Sequence, residues 1–234
     1  MSGAFHKISI LVPVFNEERT VEEIVRRVRA ADTGALQKEI IIVNDGSTDG
    51  TPAILARLAA ADLTVCTHPA NRGKGASIRT AIERATGDIL LIQDADLEYD
   101  PADFPRLLAP ILDGRADVVY GSRFLGGPHR VLLFWHYIAN TLLTLLSNML
   151  CNLNLTDMET GYKVFKRACL ADIQLNANRF GIEPELTAKL ARRRYRFYET
   201  PISYSGRDYS EGKKINWTDG VAALWFIFRY RFFN

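Results

Sequence analysis

Residues 8–14 (ISILVPV) form an unbroken apolar run of strand length. The stretch after it, 17–31, opens with acidic residues and puts Val21, Ile24, Val25 and Val28 on one helical face. This alternation recurs and is what most limits the fold. Strand-length runs at 39–43, 63–67, 88–92 and 117–120 are separated by helical patterns at 51–61, 75–85 and 102–112. Apolar strands interleaved with amphipathic helices require crossover connections. The spacing therefore predicts an α/β chain with a mainly parallel sheet covered by helices on both faces. In such sheets ligands gather at the carboxyl ends of the strands. The polar clusters fall there: Asn16-Glu17, Asn44-Asp45-Gly46-Ser47, Asn71-Arg72-Gly73-Lys74-Gly75, Asp94-Ala95-Asp96 and Gly121-Ser122-Arg123.

Two segments break the pattern. Residues 131–156 contain no Asp, Glu, Lys or Arg, a run long enough to span a bilayer. Yet His136, Asn140, Thr144, Ser147, Asn148 and Cys151 recur at three- and four-residue steps, a polar stripe on an otherwise apolar helix. That stripe favours a helix lying in a membrane interface or packed on the body over a span. The end of the chain, 219–233, mixes Trp225, Phe226, Phe228, Tyr230, Phe232 and Phe233 with Arg229 and Arg231, which suits a headgroup region. It equally suits a helix docked on the protein or on a partner, whether a second copy or a membrane protein. The chain divides accordingly into an α/β core (1–130), an amphipathic helix (131–156), a region that ends in a basic loop (157–214) and an aromatic, basic C-terminal helix (215–234).

A net charge of +2 gives no reason to invoke nucleic acid. The charge is uneven, however: from Lys189 onward there are ten Lys/Arg against four Asp/Glu. A basic, aromatic tail on a mildly acidic body points to anionic lipid or phosphate, or to a plain solvated face. Cys66, Cys151 and Cys169 are scattered and odd in number, which favours a reducing compartment over a disulfide framework or a zinc site.

Asp94 and Asp96 follow an apolar strand where the chain turns. Two carboxylates so close repel unless a cation lies between them, and hard divalent ions prefer such oxygens. A metal there can neutralise the charge of a departing diphosphate; Glu98 can add a ligand. A bare D-x-D is common, and its place at a strand end gives it weight. Asp45 can accept hydrogen bonds from a base or ribose, while Gly46 lets a backbone approach closely. The same residues also suit a turn before a capped helix. Gly73 and Gly75 flank Lys74 as an anion-binding loop does, or as an exposed loop does.

The ordered motifs VPVFNE (12–17), NDGSTDG (44–50), NRGKG (71–75), DADLEYDP (94–101), GSR (121–123) and TGYKVF (160–165) resemble family 2 glycosyltransferases, most of all the branch acting on dolichyl or polyprenyl phosphate. The resemblance implies a GT-A, Rossmann-like fold and inverting hexose transfer from GDP-mannose or UDP-glucose. It also implies Mg²⁺ or Mn²⁺, a lipid-phosphate acceptor and a place on the cytoplasmic face of a membrane. Position by position, Pro13, Glu17, Asp45 and Lys74 would hold the nucleoside, and Asp94 and Asp96 the metal and diphosphate. Glu98 stands where relatives commonly carry Gln, and Asn44 where Asp is usual.

A phosphate monoester, with a second pKa of about 6, is already anionic and needs little deprotonation. Its difficulty is approaching an anionic donor, so cations should surround the reaction centre. Arg123 and Arg130 are the candidates for the acceptor phosphate. Arg207, with Lys213 or Lys214, lies in a polar 202–215 segment that the resemblance suggests closes over the diphosphate. A hydroxyl acceptor would instead need a base, with Asp157 and Glu159 the first suspects. A non-catalytic nucleotide-sugar-binding subunit is the alternative from another class.

Overall fold

The computed structural model describes residues 5–126, 130, 131, 133–206 and 217–233. Seven strands form one sheet in these residues: β1 (Lys7–Val14), β2 (Gln37–Asn44), β3 (Leu63–Thr67), β4 (Ile89–Ile92), β5 (Val118–Ser122), β6 (Lys163–Lys166) and β7 (Phe197–Pro201). Their spatial order is β3-β2-β1-β4-β6-β5-β7. All neighbours run parallel except β6, which is antiparallel to both β4 and β5. The chain winds outward from β1 to β3, then crosses back to lay β4 on the other side of β1. That reversal opens a crevice beyond the carboxyl ends of β1 and β4, where polar side chains collect.

Among the described residues seven helices cover the sheet: α1 (Val21–Ala30), α2 (Thr51–Leu58), α3 (Lys74–Arg84), α4 (Phe104–Leu112), α5 (Phe134–Cys151), α6 (Ile182–Arg192) and α7 (Trp217–Phe232). The period of two along β1 sorts its side chains: Ile8, Ile10 and Val12 join α1, α2 and α4 in one core, and Leu11 joins α3, α6 and α7 in the other. Strands β1 to β5 and the helices between them match the pattern expected from sequence; the parallel edge strand β7 does not. Nor does the antiparallel β6, because TGYKVF reads as a motif and its four-residue strand is too short for periodicity to register.

Boundaries also shift. The first helix starts at Val21, not at residue 17. Asn16 has positive φ, its amide donates to Ser47 Oγ, and the Glu17 amide donates to Thr51 Oγ1, so residues 16–20 form a turn stitched to the loop after β2. The fifth helix ends at Cys151 because Asn152 adopts a left-handed conformation. Its polar stripe faces inward: Thr144 and Ser147 are its buried residues, and Asn148 brackets Leu155 with two hydrogen bonds. Phe134, Trp135, Leu142, Leu145 and Met149 are left outside, Trp135 75% exposed. No helix among the described residues is long and apolar enough to cross a membrane.

Candidate functional site

The crevice is built from the polar ends of β1, β2 and β4. At the end of β2, Asp45 is buried and both its oxygens are engaged. Oδ1 lies 2.6 Å from His68 Nδ1 and accepts from the Arg72 amide, while Oδ2 accepts from the Gly73 amide at 2.7 Å. His68 Nε2 in turn lies 2.9 Å from Thr80 Oγ1. Asp45 thus ties the 71–73 loop to β2, so a nucleoside reaching it must share or replace these bonds. Pro13, next to last in β1, pairs with Val43, and Glu17 accepts a hydrogen bond from the Thr20 hydroxyl. A groove of about 490 Å³, lined by Ser47, Pro52, Leu55, Val65 and His68 among others, opens between α2 and β3. Neither Asp94 nor Asp96 lines it.

The glycines around Lys74 serve the chain itself. Gly73 has φ +96°, and a Cβ there would collide with the Asn178 carbonyl; one at Gly75 would collide with that of Ala177. The 176–179 loop is therefore pressed onto the start of α3, where Ala76 donates to Asn178 and Arg79 grips Ala177 and Asn178. This packing carries α6 with it and places Glu183 against Lys74. Lys74 Nζ lies 2.8 Å from Asp94 Oδ1 and 3.1 Å from Glu183 Oε1. Burial opposes its charge, but the two carboxylates outweigh burial and hold the ammonium protonated well above its usual range.

Lys74, expected from the resemblance to help hold the nucleoside, has its ammonium on Asp94 and Glu183. Gly161 explains how closely β6 approaches: a Cβ there would run into Asp94 Oδ2. Asp96 Oδ1 accepts from the Glu98 amide across a tight turn in which Leu97 has positive φ. Glu98 Oε2 instead accepts from the Tyr204 hydroxyl at 2.7 Å. No group of three His, Cys, Asp or Glu among the described residues has metal-holding geometry. Asp94 and Asp96 offer the hard carboxylate oxygens that a divalent ion would need, with Asp94 bonded to Lys74 through both of its oxygens.

On the far side of β4, Arg123 forms a bidentate pair with the fully buried Asp157, Nε–Oδ2 at 2.6 Å and Nη2–Oδ1 at 2.7 Å. Asn140 of α5 accepts a further bond from Nη2. Burial works against the guanidinium, but Asp157 outweighs it and keeps it charged. Arg123 also stacks over Tyr204, its guanidinium 5.2 Å from the ring centre. Arg130 donates its amide to the Tyr204 carbonyl and its side chain to that of Gly206. Tyr204, with Tyr99 against it at 5.2 Å, thus joins the carboxylate turn to the two arginines. Arg207, Lys213 and Lys214 lie outside the described residues.

Three contributors had no sequence signal beyond their motif or helix start. Glu183 lies in the first turn of α6, where a carboxylate also favours the helix dipole. Lys163 is buried with its ammonium on the carbonyls of Met158 and Thr160. Tyr204 sits in a segment read as too polar for a core strand. Glu185, beside Glu183, caps the amides of Asn176 and Ala177 and pairs with Lys189, a structural role.

The strand-reversal crevice thus has carboxylates at the end of β4 and two arginines around Tyr204. Residues 9–174 match the family model described as Glycosyl transferase family 2. The chain belongs to that family. It is 28% identical over 215 residues to the low-salt glycan biosynthesis hexosyltransferase Agl6 of Haloferax volcanii, covering 91% of this chain but 51% of that one. To the polyprenol monophosphomannose synthase of Mycolicibacterium smegmatis it is 28% identical, with 87% and 79% covered. To the undecaprenyl-phosphate mannosyltransferase of Micrococcus luteus it is 29% identical, with 93% and 91% covered. The chain thus spans about half the length of Agl6, and 63% of the glycosyltransferase AglJ of the same archaeon. Among solved structures, glucosyl-3-phosphoglycerate synthase from Mycobacterium tuberculosis, bound to Mn²⁺, UDP and phosphoglyceric acid, superposes with a TM-score of 0.75 at 20% identity, covering 98% of this chain and 80% of that one. That likeness shows the fold, the GT-A arrangement expected from the motifs.

Proposed function

We propose that this protein moves a hexose, with inversion, from a nucleotide-sugar donor such as GDP-mannose or UDP-glucose to the phosphate of a polyprenyl lipid. A lone pair of the acceptor phosphate oxygen attacks the anomeric carbon. The bond from that carbon to the diphosphate oxygen breaks, and the nucleoside diphosphate leaves with the electron pair. The observation that carries this reading is the placement of Arg123 and Arg130 around Tyr204, across from Asp94, Asp96 and Lys74. Cations on the acceptor side offset the repulsion between two anionic reactants. Lys74 would meet the diphosphate, and Asp94 and Asp96 would hold Mg²⁺ or Mn²⁺. When bound, that ion would supply the charge neutralisation a departing diphosphate needs. The names of the mannose-transferring relatives support a lipid phosphate as acceptor.

One observation favours a hydroxyl acceptor as a second reading. Burial, with Glu183 nearby, pushes the Glu159 carboxyl well up, into the range that suits a general base. Asp157, the other suspect, is held by Arg123 and Asn140. Purified protein with Mn²⁺, labelled donor and a panel of polyprenyl phosphates and neutral glycolipids separates the readings. A charged, single-sugar lipid phosphate, abolished by Asp96→Ala, is the expected product. Transfer to the neutral lipids alone, lost in Glu159→Gln, would transfer the assignment to the second reading. Activity untouched by Asp96→Ala would remove the metal role.

Peripheral membrane contact belongs to the same proposal. The outward faces of α5 and α7 expose Phe134, Trp135, Met149, Trp225, Phe228 and Phe232 beside Arg229. Aromatic side chains next to arginine suit the headgroup region of an anionic membrane, where the acceptor's phosphate would lie.

A further inference from the structure

The described residues contain four buried side-chain polar atoms without a hydrogen-bond partner: Glu159 Oε1, Thr160 Oγ1, Glu183 Oε2 and Thr200 Oγ1. Three of the four fall around one spot. Glu159 and Thr160 immediately precede Gly161, which packs against Asp94. Glu183, 5% exposed, reaches the same place from the start of α6 and spends its other oxygen on Lys74, which is bonded to Asp94. Lys163 lies among Glu183, Glu159 and Lys74 and is satisfied by carbonyls. Buried acceptors without donors are costly and rare, so a cluster of them next to a ligand-binding crevice asks what supplies the missing hydrogen bonds.

The chemistry of that ligand is narrow. A phosphate would meet the Glu183 carboxylate and a buried Glu159 whose own charge burial already disfavours, and a free cation would compete with Lys74 and Lys163. What fits is an uncharged group rich in hydroxyl donors. Because Lys74 contacts Glu183 and Asp94 at once, that group must lie beside a diphosphate. We infer that Glu183, Glu159 and Thr160 form the pocket for the donor's hexose hydroxyls, Glu183 also holding Lys74 in position toward the diphosphate. This rests on the proposed nucleotide-sugar donor and names the residues that choose its sugar. Sites built to hydrogen-bond a substrate hydroxyl discriminate far more strongly than apolar pockets do.

The test is calorimetric binding in Mn²⁺ of GDP, GDP-mannose, UDP and UDP-glucose to the wild type and to Thr160→Val, Glu159→Gln and Glu183→Gln. The wild type should bind one nucleotide sugar more tightly than its nucleoside diphosphate. Thr160→Val and Glu159→Gln should leave nucleoside diphosphate affinity within about twofold and weaken the nucleotide sugar by about 10-fold or more. Glu183→Gln should weaken both ligands, the sugar-bearing one further. Thermal unfolding of Thr160→Val should be unchanged or raised, because an orphaned hydroxyl is removed without loss of volume. Equal weakening of both ligands, or of neither, by Thr160→Val and Glu159→Gln overturns the pocket while leaving the donor proposal intact. A wild type that binds none of the four overturns both.

Discussion

Arg123 and Lys74 show the same device at the scale of single residues. Each is a cation taken largely out of solvent and kept charged by carboxylate contact. Such pairs add little net stability, but removing one partner strands a buried charge. Asp157→Asn should therefore lower the unfolding free energy in urea by about 3 kcal/mol. A loss below about 1 kcal/mol would mean that solvent already reaches the guanidinium. The same pairing argues against Asp157 as a base, since proton uptake there would break the bidentate contact with Arg123.

Among the elements, the 176–179 loop and α3 form the joint that brings Glu183 of α6 to Lys74. Gly73 needs positive φ and has no space for a side chain, whereas Gly34 needs positive φ but faces open space. Gly34→Ala should cost the backbone strain alone, about 1–2 kcal/mol. Gly73→Ala should cost more in the same denaturation experiment and also weaken nucleoside diphosphate binding, because the loop must lift away from Lys74. Equal costs would show that the contact with Asn178 yields freely. Helices α5 and α7 permit a separate expectation. Replacing Phe134, Trp135, Trp225 and Phe228 by Ser should reduce co-sedimentation with anionic vesicles and leave the melting temperature nearly unchanged, since these side chains are exposed. Unchanged sedimentation would assign the two faces to another protein surface.

For the molecule as a whole, the crevice at the β1–β4 reversal couples ligand binding to global stability. With Mn²⁺ and a nucleoside diphosphate at about 100 times its Kd, linkage supplies about 2.7 kcal/mol, a rise of about 5–10 °C in melting temperature for a chain of this size. EDTA should abolish that shift, and Asp94→Asn or Asp96→Asn should do so with the metal present. A shift that survives both would place diphosphate recognition on Lys74 and backbone amides instead.

The alternation of apolar runs and amphipathic helices determined the α/β class, the parallel strands and the strand ends at which ligands would meet. Those features repeat every two or 3.6 residues and can be read within a single segment. Asp94, Asp96 and Arg123 stand out in the sequence for the same reason, as charged residues at strand ends within motifs. Tertiary structure alone decided the antiparallel β6, the inward turn of the α5 polar stripe, and the convergence of Lys74, Asp94, Glu159 and Glu183. Each of these depends on which surfaces meet across distant stretches of chain. A glycine that admits a neighbouring loop looks, in sequence, the same as a glycine that admits a phosphate.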